Sequence, residues 1–167
     1  MIVLFSSLIV LFLGYLFYLI FFWQWRKSCQ PYYKQEKVLI MGHRGSPTYI
    51  TENTIPSFQK AISQGVDGLE LDIRLTKDNQ IAVFHDVDLK RLCGKSNKIN
   101  KLSLTELQTM ALNKKEGQKE EVYIPSLNDV LPLFEQTKVV NIEIKSEGAF
   151  QGHKILKPLM RFLDKNN

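Results

Sequence analysis

The sequence predicts an α/β domain with a mostly parallel sheet, and three observations carry that prediction. From residue 38 onward, strand-like and helix-like stretches alternate: strand, helix, strand, helices, strand, helix. The stretch Gly68-Leu69-Glu70-Leu71-Asp72-Ile73-Arg74-Leu75 alternates strictly, with Leu69, Leu71, Ile73 and Leu75 on one side and Glu70, Asp72 and Arg74 on the other. Val38-Leu39-Ile40-Met41 is a short unbroken apolar run of the kind buried in parallel sheets. The apolar side of residues 68–75 can pack beneath helices, while the opposite side presents two carboxylates pointing the same way.

Ahead of that domain, residues 1–25 contain no charged side chain, and the first charge is Arg26. A helix of that length measures about 37 Å at ~1.5 Å per residue, enough to cross a ~30 Å hydrocarbon layer with some tilt. A cleaved signal peptide would need a basic start, a shorter apolar stretch and a small-residue cleavage site, and these are absent. Trp23 and Trp25 stand where an interfacial aromatic belt would lie. The reading is a retained single-pass membrane anchor (1–25), a juxtamembrane linker (26–37) and a folded domain (38–167). Arg26, Lys27, Lys34 and Lys37 follow the span and no basic residue precedes it, which places the domain in the cytosol.

Taking the domain in order, a loop through Ser46-Pro47 to Thr51 follows the first strand. Asn53 or Thr54 then caps a helix that tolerates Pro56 in its first turn, buries Ile55, Phe58 and Ile62, and stops near Gly65. After the central strand, Lys77-Asp78-Asn79-Gln80 is a turn and Ile81–His85 a second strand. So short a link cannot make a parallel crossover, so the two strands form a hairpin. Pairing Thr76 with Ile81 sets His85 opposite Asp72. Residues 86–101 read as irregular, Ser103 and Glu106 as a capping box, and 113–121 as polar and mobile. Ser126 caps a helix over 127–136 with Leu127, Val130, Leu131 and Phe134 inward. Val139–Lys145 is a strand with Asn141, Glu143 and Lys145 on one face, and 150–164 is an amphipathic helix interrupted at Pro158.

Composition excludes several classes. The net charge of +5 owes two units to Arg26 and Lys27, and no basic run interleaved with aromatics exists, so nucleic acid is not a partner. Cys29 and Cys93 have neither disulfide-framework nor zinc spacing.

In such folds ligands meet the carboxyl ends of the strands, where His43-Arg44, Glu70/Asp72 and Glu143/Lys145 fall. Three converging carboxylates repel unless something cationic joins them. The oxygen-only set Glu70, Asp72 and Glu143 suits Mg²⁺ or Ca²⁺ better than zinc; salt bridging with Arg44, Arg74 and Lys145 is the alternative. Arg44 offers a planar fork and Lys145 a point charge for phosphate oxygens. His43 and His85 can act as base and acid, or stand as satisfied polar groups; His153 is given no role. Glu52 is open between metal neighbour, partner of Arg44 and simple loop acid.

Gly42-His43-Arg44-Gly45, Glu52-Asn53-Thr54, Gly68–Asp72, Phe84-His85-Asp86, Ile124-Pro125-Ser126-Leu127 and Asn141-Ile142-Glu143-Ile144-Lys145 occur in the order seen in the glycerophosphodiester phosphodiesterase family. The resemblance spans residues 38–147. It implies a TIM-type barrel and metal-dependent hydrolysis of glycerophosphodiesters to glycerol phosphate and an alcohol. Glu70, Asp72 and Glu143 would be the metal ligands, His43 and His85 the acid–base pair, Arg44 and Lys145 the phosphate binders and Glu52 a support. The apolar start resembles the membrane-bound branch, which acts as a lysophospholipase D on lysophospholipids.

The chain departs from that pattern in length. A full barrel takes about 250 residues, whereas about 137 follow residue 30. The expectation is therefore the N-terminal portion of a TIM-type barrel, either C-terminally truncated or completed by self-association. A catalytically inactive, membrane-tethered interaction module and a toxin-like phospholipase D that forms a cyclic product are the alternative readings.

Overall fold

A computed structural model describes residues 2–20, 38–146 and 152–166. The chain divides into two compact units, Met1–Val38 and Leu39–Asn167. In the first, helix α1 (Ile2–Tyr18) has 17 uncharged residues, and its large apolar side chains from Leu8 onward, Leu11, Phe12 and Phe17 among them, stand exposed. Its length is about 26 Å, and among the described residues no helix is long and apolar enough to cross a membrane. Residues 21–37, which hold the end of the expected span and the linker, lie outside the described residues.

The second unit runs β1 (Met41–His43), α2 (Ile55–Ser63), β2 (Gly68–Leu75), β3 (Ile81–Val83), α3 (Lys90–Cys93), a 3-10 turn (Ile99–Lys101), α4 (Leu104–Gln108), α5 (Leu127–Phe134), β4 (Val139–Ile144) and α6 (Gly152–Lys165). The eight-residue β2 is the centre of the sheet. β1 pairs parallel with its first half, Met41 opposite Gly68 and His43 opposite Glu70. β3 pairs antiparallel with its second half. β4 runs parallel to it along the other edge, from Val139 opposite Gly68 to Ile144 opposite Ile73. Gly68 is required where these chains converge: a Cβ there would stand 2.5 Å from the Val139 carbonyl oxygen.

The alternation in β2 does what its period implies. Leu69, Leu71 and Ile73 are fully buried against Phe58 and Ala61 of α2, Leu127, Val130 and Leu133 of α5, and Ile155, Leu159 and Phe162 of α6. Each such side chain contributes about 1.5–3 kcal/mol of transfer free energy, which fixes the strand's facing and sends Glu70, Asp72 and Arg74 to the opposite side.

The helix caps follow the sequence. Thr54 caps α2, and Ser103 with Glu106 and Ser126 with Asp129 form capping boxes. α6 does not break at Pro158, contrary to the sequence reading. The proline forfeits one backbone bond, but the stripe Ile155, Leu159 and Phe162 buries on the helical period and holds the turn.

Three other expectations shift. The first strand begins at Met41 rather than Val38, which is exposed. Ile40 is instead used as a clasp: its N–H donates to Asp67 Oδ2 at 3.0 Å and its carbonyl accepts from the Asp67 and Gly68 N–H groups. The hairpin closes one residue tighter than expected, with Leu75 opposite Ile81. Thr76 pairs with Gln80 and Asn79 takes a left-handed conformation (φ 58°), leaving a three-residue loop. Phe84, not His85, therefore stands opposite Asp72, its N–H donating to the Asp72 carbonyl at 2.9 Å.

Lastly, the excursion between β3 and α5 has a core of its own. Ala82, Phe84, Leu89, Leu92, Ile99, Leu107, Leu112, Val122 and Ile124 form a second buried cluster. Its apolar residues follow neither the helical nor the strand period for long enough to announce it in the sequence. Within it, Gln118, from the segment expected to be mobile, ties down Thr51 by accepting from its N–H at 3.0 Å.

Candidate active site

Parallel register places the acids. Asp72 of β2 is directly opposite Glu143 of β4, and Glu70 is opposite His43 of β1. Lateral neighbours on one face of a sheet stand about 5 Å apart, and one oxygen from each of Glu70, Asp72 and Glu143 lies within 4.8 Å of the others. Glu70 and Asp72 are buried, and Glu143 is exposed.

The loop after β1 closes one flank of this trio. The Arg44 N–H donates both to the Glu70 carbonyl, at 3.0 Å, and to Glu70 Oε2, at 2.9 Å. Arg44 adopts φ 55° to do so, and Gly45 follows at φ 88°. A Cβ on Gly45 would come within 2.5 Å of Ser57 at the start of α2, so only glycine fits. The turn aims the Arg44 guanidinium across the site, with Nε 3.1 Å from Asp72 Oδ2 and Nη1 donating to Glu52 Oε1 at 3.0 Å. Glu52 is thus the partner of Arg44, and also of Arg91 (2.7 Å).

Lys145, just past β4, closes the opposite flank, with Nζ 3.2 Å from Asp72 Oδ1 and bonded to Glu143. The salt bridges weighed as an alternative are present for Arg44 and Lys145, yet the three acids still share one centre. Arg74 does not join them: its Nε donates to the His85 carbonyl at 2.8 Å.

The electrostatics match this geometry. Burial pushes the Glu70 carboxyl above its usual range, and the neighbouring Asp72 charge adds to the rise. Burial works against the Lys145 ammonium, but the bonds to Glu143 and Asp72 outweigh it and raise its pKa. The residues fit a hard divalent cation: the donors are all oxygen, and the buried Asp72 Oδ1, ion-paired with Lys145 at 3.2 Å, keeps lone-pair capacity beyond that contact.

His43 stands at the rim, largely exposed, with Nε2 3.9 Å from Glu70 Oε2. His85 lies past the end of β3, its Nδ1 2.7 Å from Asp86 Oδ1.

Two residues that sequence reasoning passed over help build the site. Asn53, expected as a helix cap and part of the Glu52-Asn53-Thr54 motif but given no role in the site, is buried in a left-handed conformation (φ 56°). Its Nδ2 donates to Asp72 Oδ2 at 2.8 Å, and its Oδ1 accepts from the Asp72 N–H at 3.2 Å. The signal for it was chemical, since asparagine is among the few side chains that tolerate this backbone. Arg91 bonds Glu52 and Asp86 together, and nothing in its local sequence marks it.

The fold and site define a class: an α/β domain whose parallel strands carry an acidic, metal-capable cluster at their carboxyl ends, flanked by cations. Residues 43–162 match the model of the glycerophosphoryl diester phosphodiesterase family, and the chain belongs to that family. It is 38% identical over 112 residues to a glycerophosphodiester phosphodiesterase of Caldanaerobacter subterraneus subsp. tengcongensis, covering 66% of this chain and 46% of that protein. It is 37% identical over 130 residues to the lysophospholipase D GDPD1 of Homo sapiens, covering 73% of this chain and 41% of that protein.

Among solved structures, it is similar to the glycerophosphodiester phosphodiesterase of Thermotoga maritima. The TM-score is 0.60 at 34% identity, over 78% of this chain and 52% of that one. It is also similar to an Oleispira antarctica phosphodiesterase solved with the product sn-glycerol-3-phosphate, with a TM-score of 0.66 at 27% identity, over 77% and 53% of the two chains. These neighbours are TIM-barrel enzymes. The chain spans about half the length of the curated relatives it matches.

Proposed function

We propose that this domain hydrolyses glycerophosphodiesters or lysophospholipids to glycerol phosphate or lysophosphatidate plus an alcohol, with a divalent cation as cofactor. The observation that carries the reading is the convergence of Glu70, Asp72 and Glu143 within 4.8 Å between two cations, Arg44 and Lys145, in a member of this family. The donor set admits Mg²⁺ or Ca²⁺. When bound, such an ion supplies Lewis-acid polarisation of a phosphoryl oxygen.

The remaining work belongs to the protein. Arg44, pinned through its own N–H to Glu70, and Lys145 supply positive charge where a phosphodiester gains negative charge in the transition state. His43 and His85 serve as the acid–base pair, one taking the proton of the attacking glycerol hydroxyl and the other protonating the leaving alcohol oxygen; water then opens the resulting cyclic phosphate to give glycerol phosphate. Because the Asp86 carboxylate can only accept, His85 Nδ1 carries the proton of their 2.7 Å bond and Nε2 is the nitrogen left for chemistry. Glu52 supports Arg44.

The uncharged start of the chain anchors the domain in a membrane as a single pass, with the domain on the cytosolic side; the run of 25 uncharged residues and the exposed apolar side chains of α1 from Leu8 to Tyr18 support this. β1 and β4 each pair with β2 alone among the described residues, so their outer edges are where a second copy would add in self-association.

The test is release of choline by the purified chain from glycerophosphocholine and from lysophosphatidylcholine, with Mg²⁺ or Ca²⁺. Turnover that is abolished by chelation and by Glu70→Ala with His43→Ala supports the reading. A folded chain without turnover on either substrate, or one indifferent to those changes, overturns it.

A further inference from the structure

Arg91 belongs neither to the acidic trio nor to the phosphate-facing pair, yet it links the Arg44 flank of the site to His85. It lies on the short α3, and its guanidinium is shared between two acids. Nη1 donates to Glu52 Oε2 at 3.0 Å and Nη2 to Glu52 Oε1 at 2.7 Å. Nε donates to Asp86 Oδ2 at 2.7 Å and Nη2 to Asp86 Oδ1 at 3.1 Å. Each acid has one further partner, and in each case that partner is a residue given a chemical role above. Glu52 Oε1 accepts from Arg44 Nη1 at 3.0 Å, and Asp86 Oδ1 stands 2.7 Å from His85 Nδ1.

We propose that Arg91 is a positioning residue that holds Glu52 and Asp86 in one rigid fork, and so sets together the direction of the Arg44 guanidinium and the orientation and tautomer of the His85 imidazole. The inference rests on the roles of Arg44 and His85 in the proposed function.

The physical case is one of geometry and charge. The two acids come from loops 34 positions apart in sequence, and nothing local keeps them in register. Two carboxylates facing a common centre repel. A planar guanidinium meets both with four directional bonds, which an ammonium cannot reproduce. The effect on charge agrees: the bonds from Arg91 are the largest cause holding the Glu52 carboxyl below its usual range. A tether on each side matters because acid–base and phosphate groups must stay within a fraction of an ångström of the productive geometry.

The experiment uses the full chain with metal and glycerophosphocholine, together with ¹⁵N-histidine NMR of the same protein. Arg91→Ala is expected to lower kcat by about 10- to 100-fold, the range typical for residues that orient a ligand or catalytic group from behind, with a severalfold rise in KM from the loosened Arg44. Arg91→Lys is expected to recover less than half of the loss, because one ammonium cannot span both acids. The ¹⁵N shifts of His85 are expected to move from a single tautomer, protonated at Nδ1, toward a mixture. Should Arg91→Ala not fold, Arg91→Gln is read in the same way. Unchanged kcat and KM in an active, folded variant, or full recovery by lysine, overturn the proposal. Wild-type protein without turnover refutes the proposed function instead; the NMR comparison then decides the Arg91 tether alone, with unchanged His85 shifts counting against it.

Discussion

On the β2 side of the site, Glu70 and Asp72 are buried, and other segments of chain hold them: Arg44 binds both, and Asn53 and Lys145 bind Asp72. On the β4 side, Glu143 is half exposed, and its described partner is Lys145, two residues along the same chain. The first flank is pre-organised by long-range contacts that also hold the fold together. The second is placed by register with β2 and little else. Stability and chemistry should therefore be coupled in one half of the site and separable in the other.

The sharpest way to break that contrast is Asp72→Asn. It leaves Arg44 and Lys145 facing an uncharged amide in a buried setting, and a cost of about 3–5 kcal/mol is expected, together with loss of nearly all turnover and metal affinity. Thermal unfolding and metal titration of the same sample check both. Asn53→Ala comes next. It removes both bonds to Asp72 and places an unsuited residue at φ 56°, for about 2–4 kcal/mol. Asn53→Gly should return about 1 kcal/mol of this by relieving the backbone without restoring the bonds, so a denaturant series on the two variants separates the contributions.

Glu143→Gln tests the other flank. Turnover should fall about 100-fold or more while stability stays within about 0.5 kcal/mol of wild type; a large stability loss there would erase the contrast.

The smallest effect concerns pH. The bonds from Arg91 hold the Glu52 carboxyl low, and in Asp86 the bonds from Arg91 and His85 overcome a burial that works the other way. A carboxyl whose folded pKa is depressed stabilises the fold above its unfolded pKa, about 4, and loses that contribution as pH falls through the folded value. The melting-temperature gap between wild type and Arg91→Ala should thus be widest near neutrality, of the order of 5 °C, and close below about pH 4.

Much of this arrangement was legible because it follows from local rules. The period of two in Gly68–Leu75 fixes which face is buried, and the capping residues Thr54, Ser103 and Ser126 begin their helices where the sequence places them. Illegible parts fall where the outcome depends on distant partners or on a single-residue choice of turn. A four-residue loop would set His85 opposite Asp72, but the loop has three residues, and a slip of one exchanges every facing partner. The break expected at Pro158 ignored the apolar stripe that binds that helix to the core. The second core under residues 86–125 has no sustained period to announce it.

Local pattern is enough to set the alternation that sends Glu70 and Asp72 to one face, the ordered motifs that place the chain in its family, and the residue types that could hold an oxygen-loving cation. Those are properties of the chain read a few residues at a time. Tertiary structure alone decided that Asp72 and Glu143 are lateral neighbours, that Asn53 grips Asp72 from a left-handed turn, and that Arg91 ties Glu52 to Asp86. Each of these contacts joins segments far apart in sequence, and their geometry is set by strand register and packing, which no local pattern encodes.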